Sequence, residues 1–332
     1  MITIKDIAKR ANVSVATVSR VVNNGPKVGK ETRERIKKMM DEMGYRPNIN
    51  AGALVTNNND TIGLVIPEVL DPFFAALAHG IDEVARENSC QLLISTGSSD
   101  KNSEKNAINL LQDRRCERII FHSKHLSDQE LIELSERISG LVLINRYIEE
   151  LQDRSIWLDN YEGGKIAARH LMALQHKSIA IITSNYDLDD PKLRLKGIVD
   201  ELRKQSIEIE PDLIVEQTPD LLGGEKAAQA LVSSGKMFSA IFSYNDAMAI
   251  GAISTLEDNG FSVPKDISII GFDDVLLSRY SRPKLSTLSY PIIEMAKQAT
   301  HLSISLTTGK TNYKGQLKYL PKLVRRESTT ER

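Results

Sequence analysis

The sequence predicts a small all-α helix-turn-helix headpiece, a short hinge, and an α/β core of two parallel-sheet lobes. Three observations carry this. Residues 3–24 show two runs of helical spacing broken by a tight turn, the first 58 residues carry most of the excess positive charge, and strands alternate with helices in two series from residue 61 onward.

The headpiece begins at Thr3. Ile4, Ile7 and Ala8 recur at helical spacing, Ala11-Asn12-Val13 interrupts them, and Ser14 starts a second run through Val18, Val21 and Val22. Thr3 and Ser14 each precede a helix and can accept a bond from the unpaired N–H groups of its first turn. Asn12 stands at the turn, where Asn tolerates the left-handed backbone. The second helix buries Val18, Val21 and Val22 and leaves Val15, Ala16, Thr17, Ser19, Arg20 and Asn23 outward. Short side chains, hydroxyls for phosphate and an Arg that forks onto a guanine edge suit a helix lying in the major groove. Asn24-Gly25-Pro26 then turns the chain, and residues 30–43 read as a third helix with Ile36, Met39, Met40 and Met43 on its apolar face. Gly29 replaces a hydroxyl cap at its start, and Gly44 suits the left-handed cap at its end.

Charge divides along the same line. Residues 1–58 hold eleven lysines and arginines against five acids, a net of +6, and the remainder holds 32 against 39, a net of −7. A basic module on an acidic body directs polyanions to one end. No apolar run at the N-terminus resembles a signal peptide and no stretch is apolar enough for a membrane span, so a cytoplasmic location with no membrane partner is expected. The two cysteines, Cys90 and Cys116, are neither spaced like metal ligands nor numerous enough for a disulfide framework.

In the core, residues 61–66 form an apolar strand followed by a helix over 74–88. Strands over 91–95, 118–121 and 140–144 then alternate with helices over 103–113 and 127–137. Beyond Asp159 a second series runs through helix 162–174, strand 179–183, helix 192–205, strand 213–215, helix 222–233, strand 240–243, helix 247–259 and strand 267–272. A last helix over 292–306 crosses back to the first lobe. The expected divisions are a headpiece over 1–46, a hinge over 47–60, a first lobe over 61–159 with 291–320, and a second over 160–290 with 321–332.

Ligands of open parallel sheets bind beyond the carboxyl ends of the strands. Past those ends the chain places Asp71 and Phe73, His122, Asn145-Arg146, Arg194 at the start of a helix, Asn245, and Asp273. Carboxylates and amides hold adjacent hydroxyls, Arg presents a rigid fork, and an aromatic face covers the C–H side of a pyranose.

TIKDIAKRANVSVATVSRVVNN resembles the headpiece of the lactose/galactose repressor family, and the likeness continues to Leu323-Val324-Arg325-Arg326. Val15-Ala16 in the readout positions places the chain near the galactose-responsive branch. The resemblance implies a core like that of periplasmic binding proteins and a homodimer on a palindromic double-stranded operator. It implies base contacts from Val15, Ala16 and Arg20, and phosphate contacts from Thr3, Ser14, Thr17, Ser19, Asn23, Thr32 and Tyr45. A hinge helix over 48–55 would insert Leu54 in the minor groove; Gly52 stands where many relatives carry Arg, and Gly costs a helix about 1 kcal/mol relative to Ala. The implied effector is a sugar, D-galactose, held by Asp71, Phe73, His122, Arg146, Arg194, Asn245 and Asp273 with no cofactor. Relatives on the same frame answer to other sugars or to nucleosides, or use a co-repressor.

A catalytic reading finds little support. The chain lacks a glycine-rich phosphate cradle, a G-x-S-x-G elbow and metal-spaced histidines, and Asp273-Asp274, as neighbours on a strand, are expected to point to opposite faces. A transport binding protein would carry a secretory signal rather than a basic headpiece.

Overall fold

The computed structural model describes residues 2–22, 25–45, 61–97, 100–309 and 313–332, in two compact units over 1–59 and 60–332. The expected contacts of Asn23 and Leu54 and the hinge over 48–55 lie outside the described residues.

In the first unit, α1 (Ile4–Ala11), α2 (Val15–Val22) and α3 (Lys30–Glu42) surround a core of Ile7, Ala8, Ala11, Val18, Val21 and Ile36. Asn12 is left-handed, with φ 51°, as the tight turn between the first two helices requires. Ser14 caps α2, its Oγ accepting from the Thr17 N–H at 3.1 Å. Thr3 and Asp6 form a reciprocal capping box at the start of α1. The Thr3 backbone N–H and hydroxyl both donate to Asp6 Oδ2, at 2.8 and 2.7 Å, because a carboxylate one turn on is a strong acceptor. Gly29 starts α3 with no side-chain bond, and Gly44, at φ 64°, ends it.

The second unit holds two six-stranded sheets. In the first, β1 (Thr61–Ile66), β2 (Gln91–Thr96), β3 (Arg118–Phe121), β4 (Gly140–Ile144), β5 (Ser155–Leu158) and a late strand at Lys318–Tyr319 are all parallel. Their spatial order places β1 between β2 and β3 and the late strand beyond β5. Helices α4 (Pro72–Glu87), α5 (Lys101–Asp113) and α6 (Asp128–Arg137) connect the strands.

The second sheet uses β6 (Ile179–Ser184), β7 (Ile214–Gln217), β8 (Ala240–Ser243), β9 (Ser268–Asp273) and β10 (Ser286–Ser289), with Lys322–Val324 antiparallel to β10 at its edge. Its connecting helices are α7 (Asn160–Ala173), α8 (Asp189–Arg203), α9 (Leu221–Ser233) and α10 (Asp246–Asp258), with a short α11 at Leu276–Tyr280. The long α12 (Ile292–Thr307) returns to pack on α4 and the first sheet. Gly80 permits that contact, since a Cβ there would stand 2.6 Å from the Ile293 carbonyl.

The chain passes between the sheets three times, after β5, after β10, and between Tyr319 and Lys322. Periodicity gives no sign of the strands at 155–158, 286–289, 318–319 and 322–324. Each is two to four residues long, too short to show a period, and forms because another strand offers an unpaired edge.

Candidate functional site

Both sheets end their strands toward one cleft. After β1, Asp71 caps α4, its Oδ1 accepting from the Phe73 N–H at 2.8 Å with Pro72 at the first helical position. After β8, Asn245 caps α10 through Oδ1 to the Met248 N–H at 2.8 Å, while its Nδ2 donates to the Pro219 carbonyl at 2.9 Å. Capping and lining coexist. Each residue spends one polar atom on its helix and stands in the cavity wall.

Arg194 organises the second lobe's share. Helix α8 starts at Asp189, three residues before the expected position, so Arg194 falls in its second turn above Asp190 rather than at the helix start. Its side chain is 3% exposed. The guanidinium lies over the Phe272 ring, 3.6 Å from the centroid, with the Tyr244 ring at 4.6 Å. It donates to Asn160 Oδ1 at 2.9 Å and to the Tyr244 carbonyl at 2.6 Å, and stands 3.6 Å from Asp273 Oδ1. Tyr244 in turn donates its hydroxyl to Asp190.

Asp273 and Asp274 do separate, by a different route from strand alternation. Both are left-handed, φ 108° and 56°, so the chain turns abruptly off β9. Asp273 reaches Arg194, and Asp274 turns away to Arg326 and Arg279. Burial holds the Asp273 carboxyl well above the usual carboxylate range against the pull of Arg194, and burial likewise raises Asp71.

On the first lobe, Phe73 meets Tyr290 edge-on at 4.9 Å, and the Tyr290 hydroxyl donates to Asn145 Oδ1 at 2.5 Å. His122 is 7% exposed, and among the described residues its Nδ1 has no partner. Burial, aided by the Lys124 charge, pushes the imidazole down to about 3, so at neutral pH the ring offers one donor and one acceptor.

The inner chamber, about 70 Å³, gathers Asp71, Phe73, His122, Arg194, Asn245 and Asp273. An outer chamber of about 360 Å³ shares His122, Lys124, Asn145, Leu188 and Asp190 with it. The inner space is small beside the roughly 300–1,000 Å³ of ordinary ligand sites. Arg146 does not join the inner set. Its Nη1 donates to the Leu126 carbonyl at 2.8 Å and its Nη2 to Asp128 at 2.7 Å, which holds it in the outer wall. Its neighbour Asn145, left-handed at φ 59°, lines the inner chamber instead.

Sequence reasoning also passed over Lys124, Asp190, Tyr244 and Tyr290. Tyr244 follows the expected strand at 240–243 directly, which is the signal that was available, whereas Tyr290 follows β10, a strand with no periodic sign. Among the described residues no three His, Cys, Asp or Glu side chains gather as metal ligands.

On the headpiece, Thr3, Ser14, Val15, Ala16 and Arg20 are exposed, and Thr17, Ser19, Thr32 and Tyr45 are half-buried. Tyr45 packs on the headpiece core. Ser14, Val15 and Ala16 stand together at the N-terminal end of α2, the end a recognition helix offers to bases.

A helix-turn-helix headpiece carried in one chain with a two-lobed, parallel-sheet core and a polar cleft defines a ligand-responsive DNA-binding regulator. The comparisons agree. Residues 3–48 match the model of bacterial regulatory proteins of the lacI family, and residues 168–329 match the periplasmic binding protein-like domain. The HTH-type transcriptional regulator GalS of Salmonella typhimurium is 41% identical over 332 residues, covering 100% of this chain and 98% of the relative. GalR of Escherichia coli is 42% identical over 330 residues, covering 99% and 96%. The chain therefore belongs to the lacI family of transcriptional regulators. Its fold is similar to that of the lac repressor dimer bound to operator and the anti-inducer ONPF, with TM-score 0.85, 25% identity and 99% of each chain covered. A sugar-binding transcriptional regulator of the LacI family from Escherichia coli, solved with phosphate, aligns over 83% of this chain and 100% of its own, with TM-score 0.74 and 29% identity.

Proposed function

We propose that this chain is a galactose-responsive repressor, a homodimer on a palindromic operator that D-galactose releases by binding between the lobes. The observation that carries the reading is the convergence of Asp71, Phe73, His122, Arg194, Asn245 and Asp273 on one chamber, in a chain 41–42% identical to GalS and GalR throughout.

The chamber's chemistry suits a neutral polyol. Asp71 Oδ2, the second N–H of Asn245, the His122 ring and Arg194 Nη2 supply acceptors and donors beyond those spent on caps, and the Phe73 ring offers an apolar edge. Asn145 and Tyr290 join this set, and Arg146 leaves it. With Asp190 bonded by Tyr244 and Asp273 facing Arg194, the acids hold structure and ligand rather than form an acid/base pair. On the headpiece, Arg20 with Val15 and Ala16 reads base edges. Thr3, Ser14, Thr17, Ser19, Asn23, Thr32 and Tyr45 serve phosphates, and Leu54 wedges the minor groove. Sugar shifts operator affinity by no more than its differential affinity for the two lobe arrangements.

The test is titration of a palindromic galactose-type operator at one fixed salt concentration, with and without D-galactose. Tight binding that galactose weakens supports both halves of the reading. Tight binding indifferent to galactose removes the effector, and binding no better than to random DNA removes the operator.

A further inference from the structure

The turn after β3 is built around a buried acid. Glu104, on α5, is 1% exposed. Its carboxylate accepts from Ser123 Oγ at 2.8 Å and from the backbone N–H groups of Lys124, His125 and Leu126 at 2.5, 3.1 and 3.2 Å. Four donors on one buried carboxylate fix the path of residues 123–126. That path carries the Lys124 side chain from the first lobe across the cleft to the second. Its ammonium lies 4.5 Å from the centroid of the Tyr186 ring and 5.7 Å from that of Phe74. Glu68, Asp71, Glu104 and Asp190 all act on it electrostatically, yet among the described residues none is within ion-pairing distance. The direct partners of this cation are two aromatic faces, one from each lobe. Lys124 and Tyr186 both line the small inner chamber, and Lys124 also borders the outer one.

We infer that Lys124 and Tyr186 form a latch between the lobes, positioned by Glu104, that opens to admit the effector and recloses over it. The inference rests on the sugar-cleft reading for its purpose but not for its geometry. A cation stacked on the rings of opposite lobes is broken when the lobes part and restored when they close, so it governs the rate of exchange more than the equilibrium. A residue that bonded the sugar itself would act on dissociation alone.

The protein carries its own reporter. Trp157 is the single tryptophan and lines the outer chamber opposite Asp187, Asp189 and Leu193 of the second lobe. Acrylamide quenching of its fluorescence in the full-length, sugar-free protein reads how often the lobes part. Lys124→Met and Tyr186→Leu are expected to raise the quenching constant about twofold or more, and Glu104→Gln to follow in the same direction. Lys124→Arg, which keeps the cation over the ring, restores the wild-type value, as does the control Lys236→Met on the surface of the second lobe. If Glu104→Gln does not fold, the Lys124 and Tyr186 variants decide alone. Quenching unchanged in both overturns the latch.

Stopped-flow mixing with D-galactose then separates the roles. Lys124→Met is expected to speed association and dissociation together by about threefold to tenfold while Kd moves little. Faster dissociation alone makes Lys124 a sugar contact and overturns the latch. A wild-type protein blind to galactose whose Trp157 is still exposed by Lys124→Met keeps the latch and refutes the galactose reading.

Discussion

Replacing Arg194 with Met tests how much of the second lobe depends on one buried cation. The change keeps an unbranched apolar stem and removes the fork. Asn160 Oδ1 and the Tyr244 carbonyl, now bonded at 2.9 and 2.6 Å, lose their donor, and an abandoned buried acceptor costs about 1–3 kcal/mol. Stacking on Phe272 and Tyr244 contributes about 0.5–2 kcal/mol per ring. Against these stands the desolvation that the missing charge no longer suffers, so the net loss is about 3–5 kcal/mol, the usual range for breaking a buried charged cluster. At about 2–4 °C per kcal/mol for a unit of this size, the core should melt about 10 °C lower. Far-UV circular dichroism and calorimetry measure this directly. Arg194→Lys should fall between the two, because it keeps the charge without the planar fork. A Met variant melting within about 2 °C of wild type would refute the account of Arg194 as the second lobe's anchor.

Other expectations are narrower. Arg20→Ala should reduce discrimination between operator and random DNA by about 1–3 kcal/mol, and an unchanged ratio in a binding titration would remove Arg20 from base readout. Asp273→Asn, which tolerates the left-handed backbone there, should weaken galactose binding by about 1.5–3 kcal/mol without altering sugar-free operator affinity; a wild-type sugar response would exclude Asp273 from the pocket. Burial pushes the Asp246 carboxyl up to about 8, against the Thr287 and Val275 donors that favour its charged form. A carboxyl raised in the folded state stabilises most below its unfolded value near about 4, and that stability is lost as pH rises toward about 8. Asp246→Asn should flatten the decline of chemical-denaturation stability over this window, and an unaltered slope would contradict it. His122 works in the opposite direction. Its pKa is depressed to about 3, so its contribution is complete above about 6.5 and fades as pH falls. Galactose affinity should therefore show no imidazole titration between pH 6 and 8, and a midpoint there that His122→Asn abolishes would refute a buried neutral ring.

Legibility followed the length of the local pattern. The three headpiece helices and the long core helices lay within a few residues of expectation, because an amphipathic face repeats over several turns. Helix α8 was the largest shift, starting at Asp189 because two acids and Pro191 suit a first turn that carries no apolar period. The edge strands at 318–319 and 322–324 left no trace, since nothing in two or three residues distinguishes an edge strand from a loop.

The sequence by itself determined the basic headpiece, its turn at Asn12, the doubled strand and helix series, and the kinds of side chain that stand past each strand. All of these depend on neighbours within about a dozen residues. The tertiary structure decided which of those side chains meet. Asn145 rather than Arg146 faces the inner chamber because one residue takes a left-handed φ, and Asp273 parts from Asp274 at two more such residues. Tyr290 and Asn145 bond although 145 residues separate them. Direction at a strand end hangs on a single dihedral angle, and convergence hangs on three passes of the chain between sheets; neither has a periodic signal for a sequence to display.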